Sequence, residues 1–294
     1  MNEPDFLAHL RRLPLHSGAR GLADDAAVVA GLVMTADTLV EGVHFLPTDP
    51  AANVAWKLVA TNLSDLAAKG ATPEGVLLSY PLSDDAWDTA FLSGLAEVLT
   101  TYDCPLIGGD TVSLRPGAPR VLALTAIGRN APAPPRGGAR PGDTLWVTGT
   151  IGDAGAGLEI ARGTPGPSPL LARYRRPQPR LAEGRALAPH VHAMTDVSDG
   201  LLIDAARMAA ASGAAIALDL DRVPLSAELR ARGGTPLDAA TAGDDYELLF
   251  AAPPEYAPAV RATAIGRVAE GSGLTLLDRG APVPLPARLG FEHA

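Results

Sequence analysis

The chain has 294 residues, a length that fits one large domain or two of medium size. Apolar residues make up 47% and charged residues 19%, which is typical of a globular rather than a disordered protein. The net charge of −9 argues against a nucleic-acid partner, which favours a basic surface. It is compatible with an anionic small molecule if divalent cations bridge that molecule to acidic side chains.

Cysteine content and hydropathy bear on the compartment. The single cysteine, Cys104, excludes an internal disulfide framework and favours a reducing environment. The N-terminal residues lack the order of a signal peptide, and no apolar run approaches the roughly 20 residues of a membrane span. We therefore expect a cytoplasmic protein with neither a membrane nor a nucleic-acid partner.

In chain order, the first half predicts alternating strands and helices. The predicted elements are a short helix at 5–12, a loop at 16–21, a hairpin of 26–33 with 34–40, a helix at 51–69 ended by Gly70, a strand at 76–80, a helix at 84–102, a strand at 105–107 closed by Gly108-Gly-Asp-Thr, and a strand at 121–128.

The long helix at 51–69 is apolar on most sides but carries three polar residues on one face. Asn62, Asp65 and Lys69 stand at i, i+3 and i+7, a spacing that places them together. One interpretation is a solvated stripe. The other interpretation is a functional face. Because acidic motifs lie nearby in the sequence, the two interpretations stand about equal.

A segment rich in Pro and Gly, residues 130–142, divides the chain. We expect an N-terminal domain at 1–130, a linker at 131–142 and a C-terminal domain at 143–294. The second half predicts strands at 144–148, 215–220 and 246–251, helices at 155–162, 179–188 and 201–212, and a loop at 163–169. The alternation indicates an α/β (α+β) class.

Aspartates beside small or hydroxylated residues recur close to predicted strand ends and helix starts. They are Asp24, Asp25, Asp37, Asp65, Asp110, Asp196, Asp199 and Asp244. Each alone is explained by capping or an Asx turn. Together they indicate a site for a hard, oxygen-ligated metal, and no His or Cys cluster has zinc spacing. Asp196, Ser198 and Asp199 precede a helix whose N-terminus is expected to help hold phosphate.

Other phosphate-handling patterns are absent from the sequence. There is no Gly-Lys pair for a Walker A loop and no protein-kinase His-Arg-Asp or Asp-Phe-Gly. The glycine-rich segment 149–157 lacks dinucleotide-loop spacing, so a tight strand-to-helix turn explains it better. His44, beside the acids, is either a site residue or a buried structural histidine.

Taken in order, the motifs resemble those of the thiamine-monophosphate kinase family, part of the superfamily that includes aminoimidazole ribonucleotide synthetase. The resemblance covers nearly the whole chain and rests on Asp24-Asp-Ala-Ala, Asp37-Thr-Leu-Val-Glu-Gly-Val-His-Phe, Asn62-Leu-Ser-Asp-Leu-Ala-Ala-Lys-Gly-Ala, Gly108-Gly-Asp-Thr, Asp196-Val-Ser-Asp-Gly, Gly243-Asp-Asp-Tyr-Glu-Leu and Gly290-Phe-Glu-His.

The resemblance implies a two-domain aminoimidazole ribonucleotide synthetase-like fold whose N-terminal sheet forms a barrel in a homodimer. It also implies direct transfer of the γ-phosphoryl group of ATP to thiamine monophosphate with several Mg²⁺ ions. Such transfer needs charge neutralisation and alignment more than a covalent nucleophile.

The resemblance also implies roles for individual residues. The implied metal ligands are Asp25, Thr35, Asp37, Asp65, Asp110, Asp196 and Asp199, of which Asp37, Asp65, Asp110 and Asp199 are the catalytic candidates. The implied ATP contacts are Gly109, Asp110, Arg136 and Ser198. Arg136 lies in the segment rich in Pro and Gly and has no obvious packing partner in the sequence, which favours a contact with the ATP phosphates. The implied contacts to thiamine monophosphate are His44, Asp244 and Phe291.

Three positions depart from the family pattern. Ala36 replaces a hydroxyl residue, Asp244 replaces Glu, and Lys69 replaces Met. The alternatives are a ring-forming synthetase, a selenophosphate synthetase, a hydrogenase-maturation relative and a non-catalytic binding module. The second is expected to carry a reactive Cys near the N-terminus and the third a C-terminal Cys, whereas Cys104 is the chain's only cysteine.

Overall fold

A computed structural model describes residues 3–115, 117–130 and 133–292. Residues 131 and 132 of the predicted linker and His293 of the last motif lie outside the described residues. Within these ranges the chain forms two sheets, one from each half, with helices packed on them. No helix in the described part of the chain is long and apolar enough to cross a membrane.

The first half forms a five-stranded sheet in the order β1-β2-β5-β3-β4. Its elements are α1 (Glu3–Leu10), β1 (Ala27–Val29), β2 (Leu32–Val40), α2 (Ala51–Ala68), β3 (Thr72–Leu82), α3 (Asp85–Thr101), β4 (Leu106–Ser113) and β5 (Val121–Arg129). The predicted hairpin is confirmed, because β1 pairs antiparallel with β2 around the turn at Ala30 and Gly31.

Helix α2 is the central element of the molecule. It packs on β2, β5 and α3 in the first half and on α6 (Leu181–Leu187) and β7 (Ala193–Asp196) in the second. The polar face of α2 is not a solvated stripe, so that interpretation is wrong: Asn62 and Lys69 are both 0% exposed. Gly70 ends the helix at φ 59°, where a Cβ atom would lie 2.4 Å from the Cβ of Ala188.

The second half forms a seven-stranded mixed sheet in the order β12-β11-β8-β10-β6-β9-β7. Its strands and its other helices are β6 (Thr144–Thr148), α4 (Asp153–Ala161), α5 (Ser168–Arg175), α7 (Leu201–Ser212), β8 (Ala215–Asp219), α8 (Ala227–Ala231), α9 (Pro236–Thr241), β9 (Leu248–Ala252), β10 (Ala262–Ala269), β11 (Gly273–Asp278) and β12 (Ala281–Val283). Only β8 and β11 pair in parallel among the described pairs of this sheet.

Several elements differ from the sequence prediction. Residues Ser17–Leu22 form 3₁₀ turns rather than a plain loop. Strand β4 continues through Gly108-Gly-Asp-Thr instead of ending there. Elements that were not predicted are the helices α5, α8 and α9 and the strands β7 and β10–β12. The helices and β7 are too short for a period to emerge, and β10–β12 alternate only weakly. Helix α5 begins at Ser168, inside the predicted loop 163–169.

One part of the first sheet exposes large apolar side chains. Leu77 on β3 and Leu106, Ile107 and Val112 on β4 are between 38% and 56% exposed. Exposed apolar clusters of this kind are characteristic of surfaces that bind another protein. In this sheet they lie on and beside its edge strand.

Candidate active site

A cavity of about 860 Å³ lies where α2 and β2 of the first half face the second half. Its wall brings together residues that are far apart in the sequence. Those that the sequence singled out are Asp37, His44, Asp65, Asp196, Ser198, Asp199, Asp244 and Phe291.

Three carboxylates form an acidic cluster at one end of this region. Asp25 precedes β1, Asp65 lies on α2, and Asp196 ends β7. One carboxylate oxygen from each lies within 4.8 Å of the others. Because the three come from separate elements of both halves, the packing of α2 against β2 and β7 is what assembles the cluster.

The electrostatics of the cluster are unfavourable for a set of ionised acids alone. Burial, followed by the charge of Asp37, raises the pKa of Asp65 well above its usual range. Burial and the charge of Asp25 do the same to the pKa of Asp196. Burial, opposed by a hydrogen bond from Thr61, raises the pKa of Asp37 to about 6.

Asp25 differs from its neighbours, because two cations contact it. Burial alone raises its pKa, but the charges of Lys69 and Arg136 outweigh burial and the pKa is lowered. The Nζ of Lys69 lies 2.7 Å from Asp25 Oδ2 and 2.5 Å from Asp24 Oδ1. Thr195 Oγ1 also donates to Asp25, at 2.7 Å.

The acidic cluster fits a divalent cation such as Mg²⁺. Carboxylate oxygens are the hard ligands that Mg²⁺ prefers. Burial and, after it, the charges of neighbouring acids raise the pKa values of Asp65 and Asp196, and a bound cation would offset both effects. Thr35 donates its hydroxyl proton to Asp65 and so contacts the cluster, while its role as a metal ligand stays a prediction.

The loop after β7 is held by an acid that the sequence analysis missed. Asp204 Oδ2 accepts from the backbone N–H groups of Ser198, Asp199 and Gly200, at 3.1, 3.2 and 3.3 Å. Asp204 therefore occupies the N–H groups of the loop that leads into α7, and the phosphate-holding role of the helix N-terminus stays a prediction. An acidic residue in the first turn of a buried helix was the available signal.

The other end of the cavity carries the three residues expected to face thiamine monophosphate. His44 Nδ1 accepts from the N–H of Val40 at 3.0 Å. The carboxylate of Asp244 accepts from Lys57 Nζ at 2.7 Å and from the Tyr246 hydroxyl at 2.9 Å. Phe291 lines the cavity and is 42% exposed.

Two predicted residues do not join the cluster within one chain. Gly109 and Asp110 lie on the edge strand β4, three strands from β2, a separation of about 14 Å at ordinary strand spacing. Gly109 also has a structural reason to be glycine, because a Cβ atom there would lie 1.9 Å from Leu78 O.

Arg136 also lies differently from its expected setting. The sequence indicated a linker arginine without a packing partner. In the structure its guanidinium pairs with Asp25 through Nε at 3.1 Å and through Nη2, and its backbone N–H donates to Asp24. The premise is therefore wrong, although its predicted contact with ATP stays a prediction.

Comparison with known proteins agrees with this architecture. Residues 23–130 match the AIR synthase related protein N-terminal domain, and residues 140–276 match the AIR synthase related protein C-terminal domain. The chain therefore belongs to the AIR synthase related family of two-domain proteins.

Within that family, thiamine-monophosphate kinases match over most of the chain. The chain is 41% identical to the thiamine-monophosphate kinase of Caulobacter vibrioides, over 99% of this chain and 90% of that protein. The solved structure described as AaThiL complexed with AMPPCP and TMP matches with a TM-score of 0.87 and 31% identity, covering 100% of this chain and 97% of that one. The chain is a member of the thiamine-monophosphate kinase group, as the motifs predicted.

A more distant match shows only the shared fold. The hydrogenase maturation protein HypE in complex with ATP matches with a TM-score of 0.74 at 20% identity, covering 97% of this chain and 93% of that one. At that identity the likeness gives no support to the hydrogenase-maturation alternative beyond the common architecture.

Proposed function

We propose that the chain transfers the γ-phosphoryl group of ATP directly to thiamine monophosphate, giving thiamine diphosphate and ADP. The observation that carries the proposal is one cavity with two chemically different ends. Asp65 and Asp196 of the acidic cluster line this cavity, and so do an aromatic ring, an imidazole and an ion-paired carboxylate. Forming a diphosphate on a substrate with aromatic rings requires both neutralisation of the phosphate charge and recognition of the rings.

At the acidic end, Asp25, Asp65 and Asp196 hold Mg²⁺, with Thr35, Asp37 and Asp199 completing the binding of several ions. Bound Mg²⁺ would neutralise and align the phosphate groups. Ser198 and Arg136 bind ATP beside these acids. The acceptor is a phosphate oxygen that is already anionic, so the side chains need only position it in line and exclude water.

At the other end, His44 binds the phosphate of thiamine monophosphate. Asp244 accepts a hydrogen bond from an N–H group of the same substrate. The ring of Phe291 packs against an aromatic ring of the substrate. Stacking of this kind contributes about 0.5 to 1.5 kcal/mol beyond the burial of apolar area.

The exposed apolar side chains of β3 and β4 support a homodimer. In this part of the proposal, a second copy covers Leu77, Leu106 and Val112, and the paired sheets form the expected barrel. Gly109 and Asp110 lie on β4 in the same region. Their proposed contacts with ATP and metal therefore depend on this pairing, since one chain keeps Asp110 away from the acidic cluster.

The dimer has a direct test. Val112→Asp places a charge on the exposed strand without changing the cavity, so it is expected to give a monomer in size-exclusion chromatography with light scattering. A variant that stays dimeric, or a wild-type protein that is monomeric at micromolar concentration, would contradict pairing through this strand.

The division into domains at 1–130 and 143–294 with a linker at 131–142 is part of the same proposal. The two sheets fall on either side of that segment. The cytoplasmic location stays a prediction from cysteine usage.

A coupled assay of ADP release tests the reaction. Thiamine monophosphate is expected to support ADP release in the presence of Mg²⁺, and aminated ribonucleotide substrates are expected to support none. Release with the ribonucleotide alone would favour the ring-forming synthetase, and release with neither would contradict the kinase.

A further inference from the structure

The sequence contains only two lysines, Lys57 and Lys69, and both lie on α2 or at its end. Both side chains are buried, with 2% and 0% of their surface exposed, and both are ion-paired. A buried lysine is uncommon and requires a compensating partner. Lys69 serves the acidic cluster, whereas Lys57 lies at the opposite end of the cavity and has no role in the proposed reaction.

Lys57 contacts both sides of the cavity's far end. Its Nζ donates to Asp244 Oδ2 at 2.7 Å and to the backbone oxygen of His44 at 3.1 Å. The ammonium also lies 4.2 Å from the centre of the Tyr174 ring. One buried cation thus joins the turn that carries His44 to the loop that carries Asp244.

The loop around Asp244 has a backbone that requires such support. Asp244 and Tyr246 have φ values of 69° and 52°, in the left-handed region that non-glycine residues rarely adopt. The N–H of Asp244 donates to Ser198 O at 2.7 Å, and the Tyr246 hydroxyl donates to Asp244 Oδ1. Each carboxylate oxygen therefore has its own donor, which fixes the orientation of the group.

We propose that Lys57 is a positioning residue for thiamine monophosphate, which it serves by holding the Asp244 carboxylate and the His44 backbone in one geometry across the cavity. This inference rests on the proposed function. Lys57 is itself too buried to bind the substrate, so it acts through Asp244.

The pairing also defines what Asp244 offers to a ligand. Its negative charge is balanced by Lys57, and each oxygen keeps a lone pair after accepting one hydrogen bond. Asp244 therefore recognises an N–H donor on the substrate, rather than attracting the cationic thiazolium ring as a free anion. Removing Lys57 changes this recognition without touching the acidic cluster.

The test measures KM separately for the two substrates. Lys57→Met is expected to raise the KM for thiamine monophosphate about tenfold or more and to change the KM for ATP less than about twofold. A purely structural lysine would lower the melting temperature or affect both substrates alike. Equal changes in the two KM values would overturn the proposal.

A double-mutant cycle asks whether Lys57 acts through Asp244. In a background of Asp244→Asn, the Lys57→Met change is expected to raise the KM for thiamine monophosphate less than about threefold further. Full additivity of the two changes would overturn the coupling.

Two further variants keep the test decisive if Lys57→Met fails to fold. Tyr246→Phe removes the other donor to Asp244 and is expected to raise the KM for thiamine monophosphate selectively, whereas an unchanged KM would overturn the proposal. Lys69→Met is the matched control for loss of a buried lysine, and its effect is expected in the dependence on Mg²⁺ rather than in that KM. A Lys69→Met variant with the same selective rise would also overturn it.

The wild-type enzyme distinguishes failure of this inference from failure of the function. If the wild type releases ADP with thiamine monophosphate and Lys57→Met keeps the same KM, only the positioning role is wrong. If the wild type releases none, the proposed function itself fails, and this inference fails with it.

Discussion

Buried negative charge is compensated differently around Asp244 and around the acidic cluster. At the far end the carboxylate of Asp244 is neutralised by Lys57 from the chain itself. At the acidic end the cations that the chain supplies, Lys69 and Arg136, pair with Asp25, whereas burial and the charges of neighbouring acids raise the pKa values of Asp65 and Asp196. The comparison indicates that the chain itself holds the Asp244 carboxylate in place, whereas the acidic cluster could hold a metal ion.

Removing one acid from the cluster is the strongest way to break this contrast. Asp65→Asn is expected to lower turnover by about 100-fold or more, because a metal ligand is lost. The same change should raise the melting temperature of the metal-free protein, since it relieves repulsion among buried carboxylates. Activity and thermal unfolding, each measured with Mg²⁺ and with excess chelator, check the expected loss of turnover and the expected rise in melting temperature.

The control is wild-type protein under the same conditions, which should lose all ADP release in chelator. Undiminished ADP release in chelator, or wild-type turnover in Asp65→Asn, would contradict a role for a metal ion at the acidic cluster.

Phe291→Ala sharpens the contrast from the substrate end. Loss of the ring face is expected to weaken binding of thiamine monophosphate about tenfold and to leave ATP binding nearly unchanged. Calorimetric titration of each ligand provides the measurement. The residue is half-exposed, so little loss of stability is expected, and equal weakening of both ligands would mean that the C-terminal segment supports the whole cavity instead.

Arg136→Ala tests whether Arg136 belongs to the ATP side of the cavity. The expected effect on KM is smaller than the effects above. Arg136 both pairs with Asp25 and is proposed to bind ATP, so the KM for ATP should rise several-fold, more than that for thiamine monophosphate. Steady-state kinetics with one substrate varied at a time gives the answer. Arg140→Ala is a suitable control because Arg140 is an exposed arginine of the same segment; the reverse pattern of KM values would place Arg136 on the other substrate's side.

The pH dependence of stability gives the smallest expected effect. Burial raises the pKa of Asp37 and, despite the charge of Arg207, that of Asp204, in each case from 3.8 to about 6. An acid with a higher pKa in the folded state binds its proton more tightly when folded, so stability falls as the pH rises through that interval. The metal-free protein should therefore be more stable at pH 5 than at pH 7.5, by about 1 to 3 kcal/mol.

Urea unfolding of metal-free protein at the two pH values measures this difference, and Mg²⁺ should reduce or reverse it by favouring the ionised acids. A metal-free protein that gains stability between pH 5 and pH 7.5 would contradict the raised pKa values.

The sequence predicted the acids better than the groups that hold them. Asp65 and Asp196 were identifiable because each lies in a short polar motif beside an apolar run. Lys57, Tyr246 and Asp204 were missed as supporting residues, because their partners depend on how α2 and the loops pack in three dimensions.

The same limit applies to the fold. The helical period and the terminal glycine predicted α2 almost to the residue, yet its burial on nearly every side follows from its position between the two sheets. Strand β4 shows the reverse, since Gly108 and Gly109 look like a loop but lie within a strand whose neighbour leaves no room for a side chain.

The burial of both lysines also determines how the folded chain reacts with chemical reagents. Amine-directed reagents therefore find no exposed lysine side chain on the folded protein. Slower acylation of Lys57 or Lys69 would report how often the two halves separate around α2, and bound substrates should suppress it.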